Sequence, residues 1–429
     1  MASQMKKVAV LGLGKVGSLV GTLLTRSGFS VTGIDANPPT GLPFPVLTQE
    51  LANPVALKST LVGHDAVISC LPFHLNVDIA KIAHATSMHY FDLTEDVPTT
   101  KAILDMAATA NCVMAPQCGL APGFIGIVGA HLARQFDVLR SIELRVGALP
   151  QHPRGKLGYA LNWSPEGVIN EYINDCEVIR NGQPQMVPAL EGLEIILVHG
   201  LVLEAFTTSG GLGTMCETYF GKVQELNYKT MRYPGHCELM RFLLNELYLR
   251  NERELANKLL RNALPAVDED VVFVHAAVEG QKDGRLCRDE YVRAYPAMQL
   301  DGKSWRAISW TTAASICAVV EMVAAGSLPN RGFIKQEEIP FDRFLATQNG
   351  ALYRSQVPAC RPSPKTCRCP ARKSRRKNPA AIPVRGETAR TPIADAGRAR
   401  RAWAERAGRA RWQSTATEWP AAETPAWIG

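Results

Sequence analysis

The sequence predicts an α/β protein: a doubly wound parallel sheet followed by a second, α+β domain built mainly on an antiparallel sheet. Three observations predict it. Four apolar residues, Val8-Ala9-Val10-Leu11, run straight into Gly12-Leu13-Gly14-Lys15-Val16-Gly17. Short β-rich runs then alternate with helical patterns as far as about residue 120, which favours right-handed βαβ crossovers and a parallel sheet. Beyond Phe124 the pattern changes to half-buried alternation, as in Ser141-Ile142-Glu143-Leu144-Arg145-Val146, with polar helical stretches in between.

The first element carries the most chemistry. In G-x-G-x-x-G, the first glycine allows a tight turn from strand to helix. The second lets a pyrophosphate approach the backbone, and the third lets the helix pack on the strand. The helix N-terminus then offers unpaired N–H groups and partial positive charge. A glycine-rich turn in some other α/β unit is the bland alternative. A second strand, Phe29-Ser30-Val31-Thr32-Gly33-Ile34, follows and ends at Asp35, 21 residues after Gly14. An acid there binds ribose hydroxyls and repels a 2′-phosphate, so a Rossmann-type NAD site is expected, with NADP disfavoured. The candidate cofactor residues are Gly12, Gly14, Lys15, Val16, Gly17 and Asp35, with Leu71 and Pro72 at a later strand end.

The remaining elements follow in order. Residues 65–71 read as a strand ending at Pro72, 77–85 as a helix, 89–93 as a strand, 99–109 as a helix and 112–115 as a strand. They complete a dinucleotide-binding domain over 1–122. The second domain, 123–310, carries strand candidates at 157–163, 176–180, 185–187, 193–198 and 271–279, and helices at 237–249 and 252–262. A small-residue helix at 311–325 opens a segment, 311–350, expected to return to the first domain. From Arg354 onward Pro, Ala, Gly and Arg dominate, and four of the seven tryptophans appear without apolar neighbours. Such a segment cannot bury enough surface to offset its ordering entropy, so 354–429 is expected to be a disordered basic tail.

Composition narrows the class. A chain of 429 residues with 46% hydrophobic content has ample core for two or three domains. No stretch approaches the ~18 uninterrupted apolar residues of a membrane span. No signal peptide is expected ahead of the first strand, and eleven scattered cysteines do not read as a disulfide framework. The expected compartment is therefore a reducing cytoplasm. The net charge of +7 is unevenly placed: 354–429 holds 17 basic and 5 acidic residues, leaving 30 and 35 in 1–353. Basic low-complexity tails bind polyanions without sequence readout, so no specific nucleic-acid partner is expected. The abrupt change at Arg354 also resembles an out-of-frame or read-through extension.

In open α/β sheets, ligands bind beyond the carboxyl ends of the strands. That rule selects 70–74, 92–96 and 117–123. Asp92 follows an aromatic strand, whose desolvation would raise its pKa and suit it to proton transfer; it could equally cap the next helix. Cys118 sits in a glycine-proline turn with no histidine nearby in sequence, so pocket lining fits it better than nucleophilic attack. The cysteines ahead of the tail show no metal-ligand spacing, and no metal site is expected. Tyr159, Asn162 and Trp163 combine aromatic surface with an amide ahead of a Ser-Pro-Glu helix start. Arg232 could clamp a carboxylate and His236 could shuttle a proton near neutral pH.

Five motifs in order along the chain resemble the saccharopine dehydrogenase family. They are the glycine turn with Tyr90-Phe91-Asp92-Leu93-Thr94-Glu95, Cys118-Gly119-Leu120-Ala121-Pro122-Gly123, Trp163-Ser164-Pro165-Glu166-Gly167, Thr208-Ser209-Gly210-Gly211 and Arg232-Tyr233-Pro234-Gly235-His236. Within the family the pattern is most similar to lysine 6-dehydrogenase-like members. The resemblance implies a nicotinamide-dependent enzyme acting at a C–N bond of a lysine-derived amino acid, and a homodimer. It places Asp92, Cys118, Gly119, Trp163, Arg232 and His236 around nicotinamide and substrate, with Asp92 and His236 as the acid–base candidates. Saccharopine formation or cleavage, or a carboxynorspermidine-type reductase, is the nearest alternative. A non-catalytic NAD(H)-sensing regulator is the alternative from a different class.

Overall fold

Val8, Ala9, Val10 and Leu11 are fully buried, because the strand they form, β1 (Lys7–Leu11), lies inside a parallel sheet covered on both faces. The computed structural model describes residues 5–354, so the expected tail, apart from Arg354, lies outside the described residues. Around β1 stand β2 (Ser30–Asp35), β3 (Val46–Thr48), β4 (Ala66–Ser69), β5 (His89–Asp92) and β6 (Val113–Ala115). Their spatial order, β6-β5-β4-β1-β2-β3, is that of doubly wound dinucleotide-binding sheets, with every pairing parallel. The helices between them are α1 (Gly17–Arg26), α2 (Pro54–Leu61), α3 (Phe73–Thr86) and α4 (Val97–Ala107). Local chemistry fixes where they start: Asn53 caps α2, and Asp96 caps α4 by accepting from the Thr99 amide at 2.9 Å.

The chain then leaves through α5 (Phe124–Ala133) into β7 (Val138–Pro150), α6 (Pro165–Ile173), β8 (Cys176–Arg180), β9 (Gln183–Val187), β10 (Glu194–Val198), β11 (Leu201–Thr207), α7 (Met215–Tyr219) and β12 (Glu225–Arg232). After α8 (His236–Arg241) and α9 (Arg253–Ala263) come β13 (Asp270–Lys282), β14 (Arg285–Pro296), β15 (Met298–Leu300) and β16 (Lys303–Trp305). The second sheet runs β10-β11-β12-β7-β13-β14, antiparallel except where β7 and β12 pair in parallel; the β8–β9 hairpin joins at β12, and β15 and β16 pair separately. Alternation sorts its two faces. Ile142, Leu144 and Val146 of β7, with Val272, Val274 and Ala276 of β13, join the core shared with α5. Leu149, Met231 and Phe273 face a second core with α6, α8 and α9.

The last segment returns to the first sheet. Helix α10 (Ala307–Ala324) packs between α1 and β13, and β17 (Gly332–Phe333) adds a seventh parallel strand beside β6, before α11 (Phe341–Ala346). α10 is long and apolar enough to cross a membrane, but 78% of it is buried within the protein. Its contacts explain that composition: the Cys317 thiol meets the Val20 carbonyl of α1, and Trp310 packs edge-on against Tyr295 at 5.6 Å.

Three expectations change. Residues 157–163 form no strand, because 159–162 are buried consecutively rather than alternately and Gly158 turns at φ +56°. The helix expected over 237–249 stops at Arg241 and passes through a π-turn, Phe242–Glu246, before Tyr248 adopts a left-handed conformation. Strands β11, β12 and β14 were not expected, since charged residues interrupt their apolar pattern.

Trp310 ties α10 to the second sheet, fully buried and donating from Nε1 to the Pro296 carbonyl at 2.8 Å. Trp310→Ala is expected to cost about 3–5 kcal/mol, read as a lower urea midpoint at constant m. A loss under about 1 kcal/mol would contradict this packing.

Candidate active site

The three glycines of the first turn are constrained in different ways. Gly12 has φ +83°, and a Cβ there would sit 2.7 Å from the Leu71 side chain. A Cβ on Gly17 would lie 1.8 Å from the Gly12 carbonyl oxygen, so the helix can close on the turn only without a side chain. Around Gly14 nothing lies within 4 Å. That middle glycine therefore leaves open the space that a pyrophosphate would take. The amides of Gly14, Lys15 and Val16 have no acceptor among the described residues, and they open on that space at the start of α1. The residues present fit a dinucleotide. Asp35 closes the turn from behind, accepting from the Leu13 amide at 2.6 Å and the Asn37 amide at 2.7 Å.

Beyond the strand ends lies a cleft of about 460 Å³, walled on one side by the first sheet and on the other by the second. The first sheet contributes Gly14, Lys15, Val16 and Gly17, then Leu71 and Pro72 after β4, Glu95 after β5, and Gly119 after β6. The second presents alternate residues: Val146 and Ala148 of β7, and Tyr228, Thr230 and Arg232 of β12. Period-two alternation thus turns the β12 residues that follow Tyr228 on one face toward the nucleotide-binding rim. Trp163 and Glu171 close the cleft from the segment that forms α6.

Arg232 is the centre of the second wall. It is 3% exposed and forms no ion pair with a carboxylate among the described residues. Its Nε donates to the Tyr172 hydroxyl at 2.8 Å, and its Nη1 donates to Thr230 Oγ1 at 2.6 Å and to the Met231 carbonyl at 2.9 Å. The Tyr159 ring lies 4.5 Å beneath the guanidinium. Nη2 has no partner among the described residues, which leaves one face of a fixed cation for a ligand.

His236 stands behind this arrangement. It is 1% exposed and does not border the cleft. Burial, and then the Arg232 charge, push its pKa down to about 3, so the ring is neutral. Its Nδ1 lies 2.8 Å from the Leu157 carbonyl, which can only accept, so Nδ1 carries the proton. Nε2 then accepts from the Tyr172 hydroxyl at 3.1 Å. Hydrogen bonds therefore run from Arg232 through Tyr172 to His236 and on to Leu157, locking the guanidinium in place.

Asp92 also lies off the cleft, fully buried beneath the strand ends. Its carboxylate accepts from the Tyr90 hydroxyl at 2.6 Å, the Thr94 amide at 2.9 Å and the Gln117 amide at 3.0 Å. Burial pushes its pKa up to about 6 against those bonds. Asp92 joins the ends of β5 and β6; the cap of α4 falls to Asp96. Cys118 is buried under the rim, its thiol donating to the Ala115 carbonyl at 3.1 Å and accepting from Gln336 Nε2 at 3.3 Å. Burial raises its pKa well above the ordinary thiol value, so no thiolate is available. Asn162 accepts from the Val267 amide at 2.9 Å, away from the cleft. Tyr159 supports Arg232 and accepts from Trp163 Nε1 at 3.0 Å.

Besides Glu166, which pairs with Arg261 at 2.7 Å, two further acids line the cleft outside the candidate site residues. Glu95 belongs to a strand-end motif, but its neighbour Asp92 drew the attention. Glu171 sits in an unremarkable helical stretch and is only 7% exposed. Neither carboxylate has a hydrogen bond or ion pair with another side chain among the described residues. Burial pushes Glu95 up to about 7, and burial together with the Glu95 charge raises Glu171 well above the usual carboxylate range.

The family model described as saccharopine dehydrogenase NADP binding domain matches residues 8–115, and that described as saccharopine dehydrogenase C-terminal domain matches residues 119–350. The chain belongs to the saccharopine dehydrogenase family. It is an oxidoreductase with an NAD(P)-binding domain, and the family makes it an NAD(P)-dependent amino-acid dehydrogenase. Among solved structures, apo saccharopine dehydrogenase (L-Glu forming) from Saccharomyces cerevisiae is similar. The identity is 16% and the TM-score 0.63, with 80% of this chain and 96% of that one covered. A C. glutamicum DAP dehydrogenase in complex with DAP overlaps more loosely, at 11% identity and TM-score 0.41 over 83% of this chain and 100% of that one. At 16% identity the likeness to the yeast enzyme concerns the fold.

The glycine geometry makes a paired prediction. Gly17→Ala is expected to destabilise the protein, with a depressed Tm even without nucleotide. Gly14→Ala is expected to keep the parent Tm while weakening NADH binding by about tenfold or more, measured by fluorescence titration. Equal loss of Tm in both variants would contradict the division of roles.

Proposed function

We propose that the protein oxidises a C–N bond of a lysine-derived amino acid with NAD. The observation that carries this reading is Arg232: a buried guanidinium with one free face, in the same cleft as the unpartnered amides of the glycine turn. A substrate carboxylate satisfies that face by a charge-assisted hydrogen bond. Tyr172 and His236 are positioning residues that hold the guanidinium, and Trp163 restricts water at the cleft wall. Bound nicotinamide would supply the hydride acceptor. Once the substrate nitrogen has lost a proton and its carbon a hydride, water adds to the resulting imine and leaves a carbonyl, with ammonia released from a primary amine or the second amine from a secondary one.

Preference for NAD rests on Asp35. The residues that follow it, Ala36-Asn37-Pro38-Pro39-Thr40, include no cation to receive a 2′-phosphate, and the carboxylate would repel one. Asp35 also holds the glycine turn through the Leu13 amide, so its replacement tests structure as well as specificity.

Assays of NAD and NADP reduction with lysine, saccharopine and related amines test the reading. NADH is expected to form with a lysine-class substrate, at a kcat/KM about 100-fold above that with NADP. Arg232→Ala is expected to lower kcat/KM by about 30-fold or more, chiefly through KM, in line with the ~2–5 kcal/mol of a buried charge pair. NAD(H) binding without turnover of any amine would instead favour a nucleotide sensor.

A further inference from the structure

The cleft is lined by Arg232 and Lys15, neither of them in an ion pair among the described residues, and by two acids on opposing walls that no cation pairs. Glu95 projects from the rim beyond β5, and Glu171 from α6. The position of Glu95 is enforced by close packing. A Cβ on Gly167 would come within 3.0 Å of Glu95 Oε1, and one on Gly210 within 2.1 Å of the Glu95 carbonyl oxygen. Two small residues thus press the Glu95 segment against the mouth of α6. Glu171 is more than nine-tenths buried and borders the cleft, and its carboxylate has no hydrogen-bond or ion-pair partner among the described residues. A carboxyl held at the cleft wall without a protein donor keeps its oxygens available to a ligand.

We propose that Glu95 and Glu171 form one ammonium-binding site that takes the reacting amino group of the substrate and accepts a proton from it. This rests on the amino-acid dehydrogenase reading and extends it by naming the proton acceptor. Arg232 and Glu171 influence each other electrostatically, yet no salt bridge joins them. One ligand carrying a carboxylate and an ammonium satisfies both walls, which neither a dicarboxylate nor an uncharged alcohol can do.

The charges around the pair fix its protonation. Asp92 and Asp96 on the β5 rim raise Glu95, and Glu95 raises Glu171; Arg232 of β12 opposes this at Glu171. The rings of Tyr159, Tyr172 and Tyr228 stand nearby, and Lys15 and Arg261 border the same cleft. Two desolvated carboxyls this strongly coupled retain a proton at neutral pH. When a substrate ammonium arrives, the site and its ligand together lose one proton to solvent. The ammonium N–H bond then breaks, its proton passing to a Glu oxygen and its electron pair staying on nitrogen. The nitrogen lone pair then forms the C=N bond as the adjacent C–H bond breaks, and bound nicotinamide would be the oxidant that takes the hydride with both electrons.

Calorimetric titration of the enzyme–NADH complex, in buffers of different ionisation enthalpy, tests the site without turnover. L-lysine and L-norleucine share the α-carboxylate, but only lysine carries the second ammonium. Lysine binding to the parent protein is expected to release about one proton, and norleucine binding none. Glu171→Gln and Glu95→Gln are each expected to abolish that release and weaken lysine by about tenfold or more, with norleucine changed by less than about twofold. Retained norleucine affinity doubles as the check that each variant is folded. Lysine binding without proton release, with an unchanged lysine-to-norleucine ratio in both variants, overturns the carboxyl pair and leaves the amino-acid reading standing. If NADH binds but neither amino acid does, the amino-acid reading falls and takes the pair with it.

Discussion

A guanidinium buried without a counter-ion is the constraint on which the rest of this structure depends. Removing such a charge from water costs several kcal/mol unless the protein replaces its solvation. Here the replacement is built from β12, α6 and the segment ahead of α6: Thr230, the Met231 carbonyl, the Tyr172 hydroxyl and the Tyr159 ring. None of these partners carries a negative charge. The Arg232 charge is stabilised enough to stay buried and is left able to attract an anion. A neutral His236, unable to protonate near neutral pH, completes the support without adding a second positive charge.

That arrangement works only because two sheets meet at their functional edges. The parallel sheet fixes its glycine turn by backbone contact, with the Gly12 carbonyl and Gly17 in touch. The mixed sheet reaches the same cleft through the period-two face of β12. Helix α10 and strand β17 return from the second sheet to the first, and Trp310 with the Tyr353 ring locks the junction. Folding energy spent at that junction is what allows Arg232, Glu171 and the α1 N-terminus to be prearranged around an open volume.

What the sequence disclosed follows from the range of the interactions. The turn from β1 into α1 was legible because its determinants are local: four apolar residues, three glycines and an acid at the end of β2. Arg232 was legible through its motif, and Trp163 through its aromatic neighbourhood. Asp92 and His236 drew catalytic roles from residue type and position, yet the structure surrounds each with hydrogen-bond partners beneath or behind the cleft. Their burial depends on Tyr90, Gln117, Leu157 and Tyr172, which come from other elements. Glu171 escaped notice for the converse reason. Its sequence neighbours describe an ordinary capped helix, and only the approach of Glu95 and Arg232 from distant segments makes its carboxylate unusual. Strands β11 and β12 were hidden in the same way, because Glu204, Lys229 and Arg232 break the apolar pattern in order to serve caps, ion pairs and the cleft.

The central claim is that Arg232 receives a substrate carboxylate opposite the nucleotide. A crystal structure of the protein with NADH and a lysine-class amino acid tests it most directly. The account predicts the carboxylate within hydrogen-bond distance of Arg232 Nη2, with Tyr172 and His236 unmoved and the pyrophosphate over Gly14. An amino acid bound elsewhere in the cleft, with the Arg232 guanidinium still unliganded, would contradict it.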